Sequence, residues 1–326
     1  MRVLITGGAG YIGDSAVEYL LSTGHHVTVY DSLLYGGAYM RKDYRLDFVR
    51  GDVRDSSKLY SLVSNHDSVL HLAAIVGDGA CQANAELTVE VNDKATKEIA
   101  KMCHQLNKRL VFASTCSVYG ANSELLDEDS PTSPLSLYAG TKLAAESYVR
   151  EVPQHYIFRL GTLFGISAEH ARLRCDLVAN LLTYKAMTDQ ILTVFGGEQW
   201  RPLLHVMDAG ELMAMAAVRK VEDADINGLF GTYILSSRNV TISQLARNIL
   251  DICGKPYSQM RITEMPFEDQ RNYHVSPHRA GAAWPTVRNL PGGILEMATA
   301  VHEGRIADIW NVSHHNARFA KEILNV

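Results

Sequence analysis

A short apolar run, Val3–Thr6, breaks at once into glycines, and the alternation it begins governs the first half of the chain. Runs of this length bounded by turn residues read as buried strands. His26–Tyr30, a weaker Asp47–Val49, Ser68–Leu72, Leu110–Ala113 and Tyr156–Leu160 repeat the pattern. Between them the apolar spacing changes to that of helices. Asp14–Ser22 puts Val17, Leu20 and Leu21 on one face, and Gly24 closes the segment. From about Asn92 to Leu106, the residues Ala95, Ile99, Met102, Cys103 and Leu106 share a face, with Asn92 read as the N-cap. Leu137–Arg150 is a third helix. Strands alternating with helices predict right-handed βαβ units on a parallel sheet, an α/β doubly wound Rossmann architecture.

After Gly161 the alternation weakens. Strands at Leu192–Phe195 and Tyr233–Leu235 mix with helices near Cys175–Tyr184, Gly210–Val218, Ser243–Cys253 and Ile294–Val301. The expectation is a first domain over 1–160 and a smaller α+β portion over 161–326, with the stretch at about 204–235 returning to the first domain. No Pro/Ser-rich tether separates the halves, so the boundary is read as a cleft.

Composition narrows the class. With 31 Lys+Arg against 36 Asp+Glu, the net charge of −5 lacks the basic excess of a non-specific nucleic-acid binder. No apolar run reaches the roughly 18 residues of a membrane span, and the apolar start is too short for a secretory leader. Cysteines at 81, 103, 116, 175 and 253 form no CxxC pair, which argues against a disulfide framework and a zinc site. The expectation is a reduced, cytoplasmic protein without a metal. The doublets His25-His26 and His314-His315 read as surface loops.

The first strand runs into Thr6-Gly7-Gly8-Ala9-Gly10-Tyr11-Ile12-Gly13 and then a helix. Gly7 permits a tight turn, Gly10 lets the backbone approach a pyrophosphate, and Gly13 lets the helix pack on the strand, with its N-terminus toward the phosphates. Tyr11 and Ile12 lie in the same loop. The second strand ends at Asp31, an acid placed to accept hydrogen bonds from the adenosine ribose and to repel a 2′-phosphate, so NAD is favoured over NADP; Arg41-Lys42 is the nearest basic pair. In Gly51-Asp52-Val53, Asp52 either bonds the adenine amino group, with the Val53 backbone beside it, or caps a helix. His71 reads as a satisfied buried histidine, while Leu72, Ala73 and Ala74 let a cofactor lie against the backbone. Asn92 either touches the cofactor ribose or only caps its helix.

Thr115 follows the fifth strand, and Tyr138-Ala139-Gly140-Thr141-Lys142 opens a helix that carries Tyr138 and Lys142 on one face. An ammonium beside a phenol, with a positive nicotinamide nearby, lowers the tyrosine pKa. The phenolate then takes a proton from a substrate hydroxyl while hydride leaves the carbon, and Thr115 orients that hydroxyl.

These motifs together resemble the extended short-chain dehydrogenase/reductases that act on nucleotide sugars. The resemblance rests on TGGAGYIG at 6–13, Asp31, GDVRD at 51–55, HLAA at 71–74, VNDKAT at 91–96, STCSVYG at 114–120, YAGTK at 138–142 and RPLLHVMDA at 201–209. It implies an NAD-binding N-terminal domain, a nucleotide-sugar-binding remainder, a transient 4-keto sugar, and a homodimer formed through the helices near 92–106 and 138–150. It also implies that Arg174, Asn180, Arg201 and Arg271 line the nucleotide-diphosphate site, with Thr115 and Thr162 at the sugar. Guanidinium forks suit phosphate oxygens.

The departures from the pattern are informative. The family's 4,6-dehydratases follow this Thr with Asp-Glu, which supply acid and base for elimination; here Cys116 and Ser117 stand there. Cys116 is read as packing rather than a base. Many 4-epimerases carry an asparagine where Thr162 stands. Arg159–Asn180 is similar to a branch that includes GDP-heptose-modifying enzymes, with a few extra residues between Ser167 and Arg174 that are expected near the sugar or diphosphate. The function expected is C4 epimerisation of a nucleotide sugar, with net redox at C4 as a dehydrogenase or ketoreductase the alternative. A non-catalytic dinucleotide sensor on the same fold is a third reading, disfavoured by the Tyr–Lys pair.

Overall fold

The computed structural model describes residues 1–36, 39–220, 230–264, 271–306 and 309–323. β1 (Arg2–Thr6) leads through the glycine loop into α1 (Gly13–Ser22), followed by β2 (His26–Asp31), β3 (Leu46–Arg50), α2 (Ser56–Ser64) and β4 (Ser68–His71). α3 (Asp78–Ala83), α4 (Ala85–Val89), a π turn at Glu90–Lys94 and α5 (Ala95–Gln105) lead to β5 (Arg109–Thr115). β6 (Ala121–Leu126), α6 (Leu137–Arg150), β7 (His155–Leu160) and β8 (Thr162–Phe164) come next. The second half contributes α7 (Val178–Met187), β9 (Leu192–Phe195), β10 (Trp200–His205), α8 (Val206–Val218), β11 (Gly231–Leu235), β12 (Arg238–Thr241) and α9 (Ile242–Ile252). β13 (Met260–Thr263), β14 (Asn272–Val275), α10 (Leu290–His302) and α11 (Asn316–Ile323) complete the described elements.

Seven strands form one sheet in the order β3-β2-β1-β4-β5-β7-β11, every pairing parallel. Val3, Leu4 and Ile5 are all fully buried, because helices cover both faces and a parallel strand needs apolar residues on each. One face packs Val17 and Leu20 of α1 against Leu212 and Met213 of α8; the other packs Leu59, Ile99, Cys103 and Val149. The stretch 204–235 supplies α8 and β11 to this layer, with Tyr233 beside Phe158. A third cluster, including Phe164, Leu182, Leu203, Leu245, Ile249 and Ile294, holds the C-terminal helices on β8, β10 and β12.

Two predicted helix starts are corrected. Asn92 is no N-cap: it sits inside the π turn, and the helical path begins earlier at α4, where the Asn84 side chain accepts from the Leu87 N–H at 3.0 Å. The predicted Cys175–Tyr184 helix begins only at Val178. The acidic Glu268-Asp269, which shortly precede Arg271 in the sequence, fall outside the described residues.

Candidate active site

The sheet order reverses between β1 and β4, and a cavity of about 1260 Å³ opens at the carboxyl ends of the strands there. It exceeds the roughly 300–1,000 Å³ of an ordinary small-molecule pocket, which leaves room for a dinucleotide and a second ligand. Gly7 has φ +75, and a Cβ there would lie 2.6 Å from the Ala73 nitrogen. Gly13 is equally constrained: its Cβ would stand 2.5 Å from the Gly8 Cα. The loop therefore lies flat on the β4 end, with Gly7, Gly10, Tyr11, Ile12 and Gly13 all lining the cavity at the start of α1. This bare cradle at a helix N-terminus fits a dinucleotide pyrophosphate.

Asp31 closes the same end of the cavity. Its carboxylate accepts from the Ala9 N–H at 3.0 Å and the Leu33 N–H at 2.8 Å. Burial raises its pKa, and the two amides oppose that rise. Arg41, the cation nearest in sequence, is taken by Asp14 at 2.9 Å and Glu18 at 3.0 Å, which leaves an adenosine 2′-phosphate without that partner. Leu72, Ala73, Ala74, Asp52 and Val53 also line the cavity. Asp52 does not cap α2, since Asp55 accepts from the Lys58 N–H. Its carboxylate is tied to Arg54 at 2.7 and 3.0 Å rather than standing free for an adenine. His71 is buried between Thr6 at 2.6 Å and Thr96 at 2.9 Å, and burial pushes its pKa down to about 3.

Two expected site residues do not reach the cavity. Asn92 is buried and spends its amide on Ile75, accepting from its N–H at 2.8 Å and donating to its carbonyl at 2.9 Å. Asn180 is buried as well; it accepts from the Gly165 N–H at 2.9 Å and donates to the Arg174 carbonyl at 2.9 Å and the Tyr11 hydroxyl at 3.2 Å. Both brace loops that do line the cavity.

Thr115, Tyr138 and Lys142 meet on one wall. Thr115 ends β5, where its hydroxyl accepts from the Ser117 N–H at 3.1 Å. Ser136 caps α6, accepting from the Ala139 N–H at 3.3 Å, and so starts the turn that carries Tyr138 and Lys142. Burial holds the Tyr138 phenol above its ordinary range, with Asp78 and Cys81 adding to the rise; the Thr115 hydrogen bond and the Arg174 charge oppose it. Lys142 is anchored to the strand rather than to the phenol. Its Nζ donates to the Ala113 carbonyl at 2.9 Å, over the Phe112 ring, and burial pushes its pKa down to about 8. Cys116 is buried, its thiol raised by burial and turned to the Arg159 carbonyl at 3.4 Å.

The structure brings Thr162, Arg174, Arg201 and Arg271 to the same cavity. Arg174 forks onto Asp176 at 2.7 and 3.1 Å. Arg201 donates to the Trp200 carbonyl at 2.9 Å and to that of Arg271. Arg271 pairs with Asp78 at 2.7 Å. The sequence reading missed Asp78, which also accepts from the Ser136 hydroxyl at 2.6 Å, and Tyr273, whose hydroxyl meets Ser117 Oγ at 3.1 Å. Asp78 had one available signal, its place at the start of the helix that follows a parallel strand. The extra residues between Ser167 and Arg174 lie against the glycine loop rather than beside Thr115 and Tyr138: Ser167 donates to the Tyr11 carbonyl at 2.6 Å, and the His170 N–H to Asp14 at 2.9 Å.

Residues 3–227 match the NAD dependent epimerase/dehydratase family. The chain belongs to that family. It is therefore an NAD-dependent enzyme, and the glycine cradle and Asp31 are the residues that fit the cofactor. Among relatives, the UDP-N-acetyl-alpha-D-glucosaminuronate decarboxylase of Bacillus cytotoxicus is 28% identical over 289 residues, covering 85% of each chain. The dTDP-glucose 4,6-dehydratase of Streptomyces niveus is 30% identical and covers 83% of each. The solved structure of the Thermus thermophilus UDP-glucose 4-epimerase in complex with NAD is 25% identical, with a TM-score of 0.76 over 93% of this chain and 99% of that one. Members of this family thus modify nucleotide sugars by several reactions.

Proposed function

We propose that the enzyme epimerises a nucleoside-diphosphate sugar at C4. The observation that carries this reading is one wall of the cavity: Thr115, Tyr138 and Lys142 converge there, while the two positions after Thr115 offer no carboxylate. Cys116 faces away, Ser117 is paired with Tyr273, and the nearby Asp78 is engaged by Arg271 and Ser136. The relatives' UDP- and dTDP-sugars support the substrate class, and Arg174, Arg201 and Arg271 supply the cations a diphosphate needs.

Bound NAD supplies a hydride acceptor at C4 and returns the hydride. The chain moves the proton. Tyr138 Oη takes it from the C4 hydroxyl as the carbonyl forms, and Thr115 Oγ holds that oxygen in line. Arg174 lowers the cost of the phenolate by its charge, and the cofactor's positive ring is the further cation. The cavity's size supports turning the keto sugar so that hydride and proton return on its other face. In this reading residues 1–160, with the stretch at 204–235, hold NAD, and the rest of 161–326 holds the nucleotide sugar. We carry the homodimer through α5 and α6 and a cytoplasmic setting as parts of the same proposal. The five free cysteines support the setting, and sizing by light scattering tests the dimer.

Net redox at C4 is a second reading, favoured by Thr162 where many 4-epimerases carry asparagine. NMR of the products from a panel of nucleotide sugars, with NADH followed in parallel, separates the two. A C4 epimer with NAD unchanged supports epimerisation, and stoichiometric NADH formation or consumption overturns it.

A further inference from the structure

Segment 167–176 carries a guanidinium that neither the catalytic set nor the nucleotide-sugar site uses. Arg172 lines the cavity on the side of the glycine loop and Asp31. Its carbon Cζ lies 3.8 Å from the centroid of the Tyr35 ring, just beyond the end of β2. One amino group donates to the Ser313 carbonyl at 2.6 Å and another to Asn316 Oδ1 at the start of α11. Asn316 in turn donates to the Val76 carbonyl at 2.8 Å, which pins this corner to the loop after β4. The three groups that the Arg172 guanidinium touches, the Tyr35 ring, the Ser313 carbonyl and the Asn316 amide, are neutral.

The local charges do not balance. Arg174 lies close by, and the two acids whose charges reach Arg172 are already engaged: Asp176 by the Arg174 fork and by the Asn316 N–H at 3.0 Å, and Asp31 by the Ala9 and Leu33 amides. No carboxylate stands within ion-pair distance of Arg172 among the described residues. Burial and the charge of Arg174 push the Arg172 pKa down, and Tyr35 and Asp176 offset only part of that fall. The anion that fits is a phosphate. The glycine loop aims α1's N-terminus into the same space, and a guanidinium held flat by an aromatic ring presents two donors to phosphate oxygens.

We propose that Arg172 is a further cofactor-binding residue, which clasps the pyrophosphate of the dinucleotide together with the glycine loop. Tyr35 and Asn316 set its angle. The proposal rests on NAD dependence and not on the C4 chemistry, so it stands or falls apart from the epimerase reading. The substrate's diphosphate is the other source of the same anion, and the ligand panel separates the two.

The test is calorimetric titration of the NAD-free, full-length protein with NAD, ADP-ribose, UDP, GDP and dTDP, comparing wild type with Arg172→Met and Arg172→Lys. A lost charged, bidentate contact weakens binding by roughly tenfold or more. The expected result is that loss for NAD and ADP-ribose in Arg172→Met, a smaller loss in Arg172→Lys, unchanged affinity for the nucleoside diphosphates, and an unchanged ligand-free melting midpoint. Unaltered NAD affinity overturns the proposal. So does a loss confined to UDP, GDP or dTDP, and so does a loss shared by all ligands together with a lowered midpoint. Should Arg172→Met fail to fold, Arg172→Lys decides, because it keeps the charge and removes the fork: weaker NAD binding at an unchanged midpoint supports the assignment, and wild-type affinity sinks it.

Discussion

Tyr138 and Lys142 are one helical turn apart, and burial works against the charged form of each. Replacing Tyr138 by Phe removes the proton carrier and leaves the glycine cradle intact. Turnover is expected to fall by about 10²–10⁴-fold, the usual contribution of a placed acid–base group, with NAD still bound; comparing turnover numbers with NAD content in the purified variant checks both halves. Lys142 gives a pH signature. Its pKa drops from 10.5 in the free side chain to about 8 in the fold, so the unfolded chain holds the extra proton between those values. The group therefore opposes folding fully below pH 8, and that opposition fades as pH rises toward 10.5. Lys142→Met is expected to melt above wild type in NAD-free samples near neutral pH, with the gap closing across that window, while its activity is lost. A variant that melts below wild type at neutral pH would show that the Ala113 hydrogen bond outweighs the buried charge.

At the scale of elements, α6 delivers the catalytic side chains, and a buried ion pair fixes its height on the sheet. Glu146 is fully buried and accepts from Arg159 at 2.8 and 3.0 Å and from the Ser114 hydroxyl at 2.6 Å, which ties α6 to β7 and to the residue before Thr115. Glu146→Ala leaves Arg159 buried without its counter-charge, and the expected loss is about 3–5 kcal/mol of stability by denaturant titration. The periodicity of α6 and the apolar runs of β1, β2 and β5 were legible because each is decided by its own side chains. The Asn92 cap was misread because Ile75, distant in sequence, claims that amide. β6 and β14 were invisible for a related reason. Each completes the other as a two-stranded parallel pair, so neither carries a full strand signal alone.

On the scale of the whole molecule, the residues found from sequence sit at strand ends within recognisable motifs, whereas those missed are joined across long stretches of chain: Ser117 with Tyr273, Asp78 with Arg271, Arg172 with Asn316. No local pattern encodes such pairs, since the fold alone makes them neighbours. The last of them links the C-terminal helix to the cofactor side of the cavity, and that link has a mechanical consequence. α11 rests on α3 at Gly79, where an added Cβ would lie 2.9 Å from the Ala317 Cβ. Gly79→Val, which alters no charged or hydrogen-bonding side chain, should lift α11 and carry Asn316 away from both Val76 and Arg172. The expected outcome is weaker NAD binding, faster proteolysis near the C-terminus, and little change in the global melting midpoint, because α11 gives the sheet's two cores little beyond Ala320. Limited proteolysis with and without NAD reads the coupling directly: in wild type, added NAD should slow cleavage of this helix, and in Gly79→Val that protection should be lost. If NAD protects the C-terminal helix equally in both proteins, α11 is only packed beside the cofactor site and takes no part in closing it.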